Sequence, residues 1–186
     1  NKKPYIYTMF DVTKIKEPFA LILVGPPLSG KSTWLRNNFN LDNITILSRD
    51  EVVLEVHGSD NYSLAFKEVN QKEVDRVLRE KMVAASLTTG NVAVDMTHMG
   101  SKRRKANLNY FPNHYKVAVI FPLLSDEEYA MRNKKRSVEE NKWIPEYVIK
   151  SMIAGYQPIR DEEGFDKVIS VKPSKLKKLK KSKKKK

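Results

Sequence analysis

The chain has no cysteine, which excludes disulfides and any metal centre built on thiolates. No apolar run reaches the ~18–20 residues of a membrane span. The opening NKKPYIYTMF lacks the apolar core of a signal peptide. These absences predict a soluble, cytoplasmic protein with no membrane association. No internal repeat is visible. Acidic residues are missing from the last fifteen positions, where KPSKLKKLKKSKKKK carries ten lysines. The formal net charge is +13, so the other 171 residues hold only +3. A run of like charge cannot bury apolar surface, and the tail is expected to be disordered. Lysines near phosphates release counterions, so the tail suits a non-specific polyanion anchor; a solvated tail or a localisation signal is the plainer alternative.

What is present is enough for one domain with a real core: 186 residues, 40% of them hydrophobic. The chain divides into an N-terminal extension (1–18), a domain (19–171) and the lysine-rich tail (172–186). FALILV, Phe19 to Val24, reads as a buried strand, followed by a helix from Lys31 to Asn38. A strand from Ile44 to Leu47 leads to a helix from Asp50 to Val56. One long helix is predicted from Leu64 to Leu87, with Val74, Val77, Leu78, Met82 and Ala85 on one face. Then come a strand from Asn91 to Val94, a basic helix from Ser101 to Asn109 and a strand from Tyr115 to Phe121. Ser125, with Glu128 three residues on, starts a helix that runs to about Lys135. Pro145 opens another, whose apolar face is Val148, Ile149, Met152 and Ile153. Lys167 to Val171 is the last strand. Strands that alternate with helices, several of them apolar without alternation, predict an α/β fold: a parallel sheet covered on both faces. Ligands of such sheets bind beyond the carboxyl ends of the strands.

After the first strand comes GPPLSGKS, Gly25 to Ser32, which fits G-x-x-x-x-G-K-[ST] with a strand before it and a helix after it. Gly25 and Gly30 let the backbone turn and approach a phosphate. The N–H groups through Ser29, Gly30, Lys31, Ser32 and Thr33 form an anion nest at a helix start. Lys31 is placed for the outer phosphates, and Ser32 for Mg²⁺. The implied cofactors are ATP or another NTP and Mg²⁺. A GTPase would need N-K-x-D, which does not occur. A motor or clamp-loading ATPase would need a longer chain, and NVAVDMTH ends in a single acid rather than an Asp-Glu pair.

A kinase needs a carboxylate to accept the acceptor hydroxyl's proton. Asp50, in SRDE after the second strand, is placed for it, with Arg49 available to an anion; the plainer role for Asp50 is a helix N-cap. Asp95 ends the third strand, and Thr97 and His98 follow. Asp95 can orient the acceptor or Mg²⁺-bound water, while His98 is either a phosphate or base donor or a structural turn residue. SKRRK puts Lys102, Arg103, Arg104 and Lys105 in one helical turn near aromatics, a pattern that can track a nucleic-acid strand or simply face solvent. Arg132 and Arg136 are four apart and share a helix face. The polar KKRSVEENKW, which contains Arg136, reads as a mobile lid whose arginine closes over the transferring phosphoryl group.

Together these motifs resemble the P-loop kinase domain of the bacteriophage polynucleotide kinase family. GPPLSGKSTW, SRDE, DMTH with SKRR, and RNKKR occur in the family's order across Phe19 to Val171. The closing IPEYVIKSMIAGYQPIRDEEGFDKVISV is also similar to related domains, including that of the heterogeneous nuclear ribonucleoprotein U group. The resemblance implies a three-layer P-loop kinase fold with Lys31 and Ser32 on the donor phosphates, Asp50 as general base, Asp95 supporting the acceptor site and Arg136 as the lid arginine. The resemblance leaves Arg49, Thr97, His98, Arg103 and Arg104 as further candidates for the acceptor and Arg132 for the donor, from their positions in the sequence. It also implies a nucleic-acid acceptor, DNA or RNA, and host cytoplasm for a phage-encoded enzyme. Two positions depart from the pattern. Val53 stands where the phage kinase has an arginine for the acceptor's terminal phosphate, and His98 stands for an asparagine. Phage-type hydroxymethylpyrimidine DNA kinases would not need that arginine. A small-molecule or nucleoside kinase, a zeta-toxin-like kinase and a non-catalytic nucleotide-gated nucleic-acid-binding module compete with these two readings; Asp50 disfavours the last.

Overall fold

The structure, a computed structural model, describes residues 10–172. All of the lysine-rich tail except Lys172, and the first nine residues, lie outside the described residues. Five parallel strands form one sheet: β1 (Phe19–Val24), β2 (Ile44–Ser48), β3 (Asn91–Asp95), β4 (Tyr115–Ile120) and β5 (Lys167–Ser170), in the order β2-β3-β1-β4-β5. The helices are α1 (Lys31–Asn38), α2 (Arg49–His57), α3 (Tyr62–Glu68), α4 (Gln71–Ser86), α5 (Ser101–Leu108), α6 (Asp126–Glu139) and α7 (Glu146–Ala154). No described helix is long and apolar enough to cross a membrane.

The central strand explains the layers. All six residues of β1 are buried, yet successive side chains still point to opposite faces. Phe19, Leu21 and Leu23 join Leu35 of α1, Val117 and Val119 in one core. Ala20, Ile22 and Val24 join Met82 and Ala85 of α4, Leu108 and Phe111 in the other. An apolar run without alternation is what a strand needs when helices cover both faces. Each large apolar side chain among them contributes about 1.5–3 kcal/mol by leaving water. The result is the predicted α/β three-layer fold. A third small core, of Val52, Val53, Ala65, Val74 and Leu78, ties α2, α3 and α4 together beside the carboxyl end of β2.

Three local readings change. The long helix predicted from Leu64 is two helices, because the Asn70 side chain accepts from the N–H groups of Lys72 and Glu73 and starts α4 afresh. Residues 10–18 are not all an outlying extension: Ile15 is buried in the first core, and Lys167 Nζ lies 4.1 Å over the Phe10 ring. The stretch read as a mobile lid is helical as far as Glu139, and the turn after it is tied down on both sides, as described below.

Candidate active site

The loop between β1 and α1 is shaped by its two glycines. A Cβ on Gly25 would sit 2.7 Å from Ser29 Oγ and 3.0 Å from the Phe121 side chain, so no larger residue fits. Gly30 has φ +95°, a left-handed conformation that favours glycine. Lys31 Nζ donates to the carbonyls of Gly25 at 2.9 Å and Pro26 at 2.8 Å. Burial pushes its pKa down to about 8, against the pull of Asp95 and Asp50. Ser29 Oγ is buried and has no hydrogen-bond partner among the described residues. Ser32 Oγ donates to Asp95 Oδ2 at 3.0 Å, which pairs a hydroxyl and a carboxylate of the kind Mg²⁺ takes. A glycine-shaped cradle, an ammonium, an orphaned hydroxyl and hard oxygen donors therefore fit a nucleoside triphosphate with Mg²⁺. Thr33, in the first turn of α1, is exposed and accepts from Arg36 at 3.3 Å.

α6 closes one side of the loop. Arg132 donates to the Leu28 carbonyl at 3.0 Å and to Glu128 at 2.7 Å, and lies 3.7 Å from where a Gly30 Cβ would be. Arg136, one turn on, pairs with Glu140 at 2.9 Å. Its charge acts on both Lys31 and Asp50.

Asp50 sits across the edge on the first turn of α2. It does not cap that helix: Ser48 Oγ accepts from the Glu51 N–H at 3.4 Å instead. Its carboxylate is left for the site, with Tyr62 donating to Oδ1 at 2.8 Å and Lys142 to Oδ2. Burial raises the Asp50 pKa, but Lys142, Tyr62 and Arg136 outweigh it and hold the carboxyl below the ordinary aspartate range. Arg49 turns away, donating to Gln71 at 2.7 Å and Asp75 at 3.2 Å on α4. Val53, one turn beyond Asp50, is fully buried.

Around β3 the outcome is mixed. Asp95 faces Ser32, and the Thr97 carbonyl accepts from Gly25 N at 2.9 Å, joining the two turns. His98 is not available to a substrate. It is buried, donates through Nδ1 to the Leu23 carbonyl at 2.7 Å and accepts at Nε2 from Asn107 at 2.8 Å. Burial pushes its pKa to about 4, so the ring is neutral. Arg104 is likewise not a substrate ligand. It is fully buried and forms a two-pronged pair with Glu163 at 2.7 and 3.0 Å, and it also donates to the carbonyls of His98 and Met99. Arg103 faces solvent in a groove between α4 and α5, lined also by Arg79, Asn107 and Tyr110. Two site residues escaped the sequence reading, Tyr62 and Lys142. Nothing in their local patterns marks them, because their role comes only from contact with Asp50.

The same fold occurs in a gluconokinase from Sinorhizobium meliloti, 12% identical, with a TM-score of 0.53 over 87% of this chain and 86% of that one. A candidate kinase from Chloroflexus aurantiacus is 14% identical, with a TM-score of 0.56 over 84% and 85%. A chain of the Pnkp1/Rnl/Hen1 complex is 22% identical with a TM-score of 0.49; the match covers 62% of the present chain and only 39% of that one. At these identities the first two likenesses are ones of fold. No curated protein sequence matches the chain. A family model described as an AAA domain matches residues 21–159, most of the chain and all of the loop, Asp50 and Asp95. The chain therefore belongs to that family, AAA_33, and carries its nucleotide-binding loop on a P-loop kinase-like three-layer sheet.

Proposed function

We propose that the protein is an NTP- and Mg²⁺-dependent kinase that transfers the γ-phosphoryl group to a hydroxyl of nucleic acid, most simply the 5′-OH end of a polynucleotide. The observation that carries this is Asp50. Its side chain is ionised, half exposed and uncommitted to helix capping, on the sheet edge that also holds Lys31. A binding module has no use for such a group, whereas a phosphotransferase needs it to draw the hydroxyl proton. Lys31 and the loop N–H groups hold the donor phosphates, and Arg136 faces the charge that spreads over the transferring group. Ser32 and Asp95 would hold Mg²⁺, which neutralises phosphate charge when bound.

Support for a polyanionic acceptor comes from the α4–α5 groove. The side chains of Arg79 and Arg103 make no hydrogen bond or ion pair with the described residues, and both line this groove of about 480 Å³ with Tyr110. Unpaired guanidiniums beside an aromatic ring suit a phosphodiester strand. The lysine-rich tail, as proposed from its composition, adds affinity for the same kind of ligand.

Val53 favours a second reading. It fills the third small core, so α2 offers no cation to a terminal phosphate. An acceptor hydroxyl on a hydroxymethylpyrimidine within DNA would need none. The test is labelled ATP with a panel: 5′-OH DNA, 5′-OH RNA, hydroxymethyluracil DNA, free nucleosides and gluconate. Transfer to a polynucleotide, lost in Asp50→Asn with nucleotide binding kept, is the expected result. Transfer to gluconate or nucleosides alone would overturn the nucleic-acid acceptor, and no transfer to any acceptor would overturn the kinase.

A further inference from the structure

We propose that Lys142 is the positioning residue of the acceptor site, a cation delivered by the turn after α6 that clamps the Asp50 carboxylate and leaves one side of it open to the acceptor hydroxyl. The inference rests on the phosphotransfer reading above and assigns a role that neither the loop motif nor the family match carries.

The first support is burial. The Lys142 side chain is only 6% exposed, while that of its partner Asp50 is 49% exposed. A lysine normally runs its stem along the surface and keeps its ammonium in water. Burying that ammonium is costly unless an anion meets it. Asp50 is that anion, since the nearby Glu140 is taken by Arg136.

The second support is the anchoring of the turn. On one side of Lys142, the Asn141 carbonyl accepts from Ser63 N at 3.3 Å and Ser63 Oγ at 2.9 Å, with Asn141 in the left-handed region at φ +49°. On the other side, Ile144 N donates to Asn133 Oδ1 at 3.1 Å, and its carbonyl accepts from Asn133 Nδ2 at 2.6 Å. Independent ties to α3 and α6 thus fix the backbone on either side of one lysine.

The third support is closure. Tyr62 donates to the other Asp50 oxygen, and its ring lies 4.0 Å beneath Lys142 Nζ. Three side chains from α2, α3 and the turn after α6 therefore hold one another, and the Asp50 side chain still stays half exposed. α2 supplies no such cation itself, because Val53 is in the core and Arg49 is held by α4.

In the reaction, the acceptor O–H bond breaks and its proton passes to Asp50. The oxygen bonds the γ-phosphorus, and the bond from that phosphorus to the β-bridging oxygen breaks, releasing the nucleoside diphosphate. Lys142 takes no proton. It keeps Asp50 ionised and prevents the carboxylate from rotating away. The other charged or titratable groups around Asp50 are Lys31 of α1, Glu51 of α2, Tyr62 of α3 and Arg136 of α6.

The test uses the full chain and the variants Lys142→Met and Lys142→Arg. Lys142→Met should lower kcat for the best acceptor by about 10²-fold, as expected for a misplaced catalytic group. Nucleotide affinity should be unchanged, and Lys142→Arg should fall between the two. A carboxyl-carbon NMR titration of Asp50 gives a readout without turnover: its midpoint should lie below the ordinary aspartate range and rise in Lys142→Met. An ordinary midpoint in the wild-type protein, or a midpoint and kcat untouched by Lys142→Met, would overturn the clamp. If no acceptor in the panel is phosphorylated, the kinase reading falls while the titration still decides the clamp. If Lys142→Met does not fold, the wild-type midpoint and Lys142→Arg decide it.

Discussion

The turn after β1 and the turn after β3 lie side by side, joined by the 2.9 Å bond from Gly25 N to the Thr97 carbonyl. Both follow apolar strands, and both lead to residues that the sequence assigns to ligands. Their fates are opposite. After β1, Lys31 has only loop carbonyls as hydrogen-bond partners among the described residues, and its charge is at the disposal of an anion. After β3, Arg104 meets Glu163, and His98 meets the Leu23 carbonyl and Asn107. Those partners satisfy the polar groups inside the protein, so the second turn has become a structural brace. Of the two cations, Lys31 stays open to a ligand because the described residues bring it no anion within bonding distance, whereas Glu163 reaches Arg104.

If that contrast is right, the two turns should fail in different ways. Lys31→Ala should reduce phosphoryl transfer by on the order of 10³-fold, about 4 kcal/mol of barrier. Thermal unfolding should show the fold intact. Near-normal rates with every acceptor would remove the loop from the chemistry. Glu163→Gln should do the reverse, because it leaves the Arg104 guanidinium buried without its anion. The expected cost is about 3 kcal/mol of stability, or roughly 6–12 °C in Tm for a chain of this size. Nucleotide affinity well below Tm should not change.

Acid should reveal the same brace a little more weakly. The unfolded chain protonates His98 below 6.5, whereas the folded ring stays neutral to about 4. The His98 contribution is therefore complete above pH 6.5 and lost as pH falls towards 4, by up to roughly 3 kcal/mol. Urea midpoints of the wild type and His98→Gln should converge as pH falls from 7 to 4; a constant gap would show that His98 is not buried neutral. The smallest effect belongs to neither turn. Deleting residues 172–186 should leave kcat on a short acceptor unchanged. On long DNA it should make the salt dependence of log K shallower, by about 0.9 for each phosphate that the tail no longer neutralises. An unchanged slope would take the tail out of binding.

The sequence by itself determined what is written in contiguous residues. FALILV and YKVAVI are apolar almost throughout, which requires a doubly covered parallel sheet. GPPLSGKS fixes its own turn, because the steric need at Gly25 and Gly30 and the direction of the loop N–H groups are local. Asp50 is legible as a candidate for the same reason, as an acid directly beyond a strand. The fold alone decided which polar groups pair across the chain. Asp50 and Lys142 are 92 residues apart, His98 and Leu23 75, and Arg104 and Glu163 59. No periodicity connects such positions. A buried charge takes whichever partner packing brings to it, so only the sheet order and the helix layers decide that Lys142 meets Asp50 and that His98 and Arg104 are spent on internal partners.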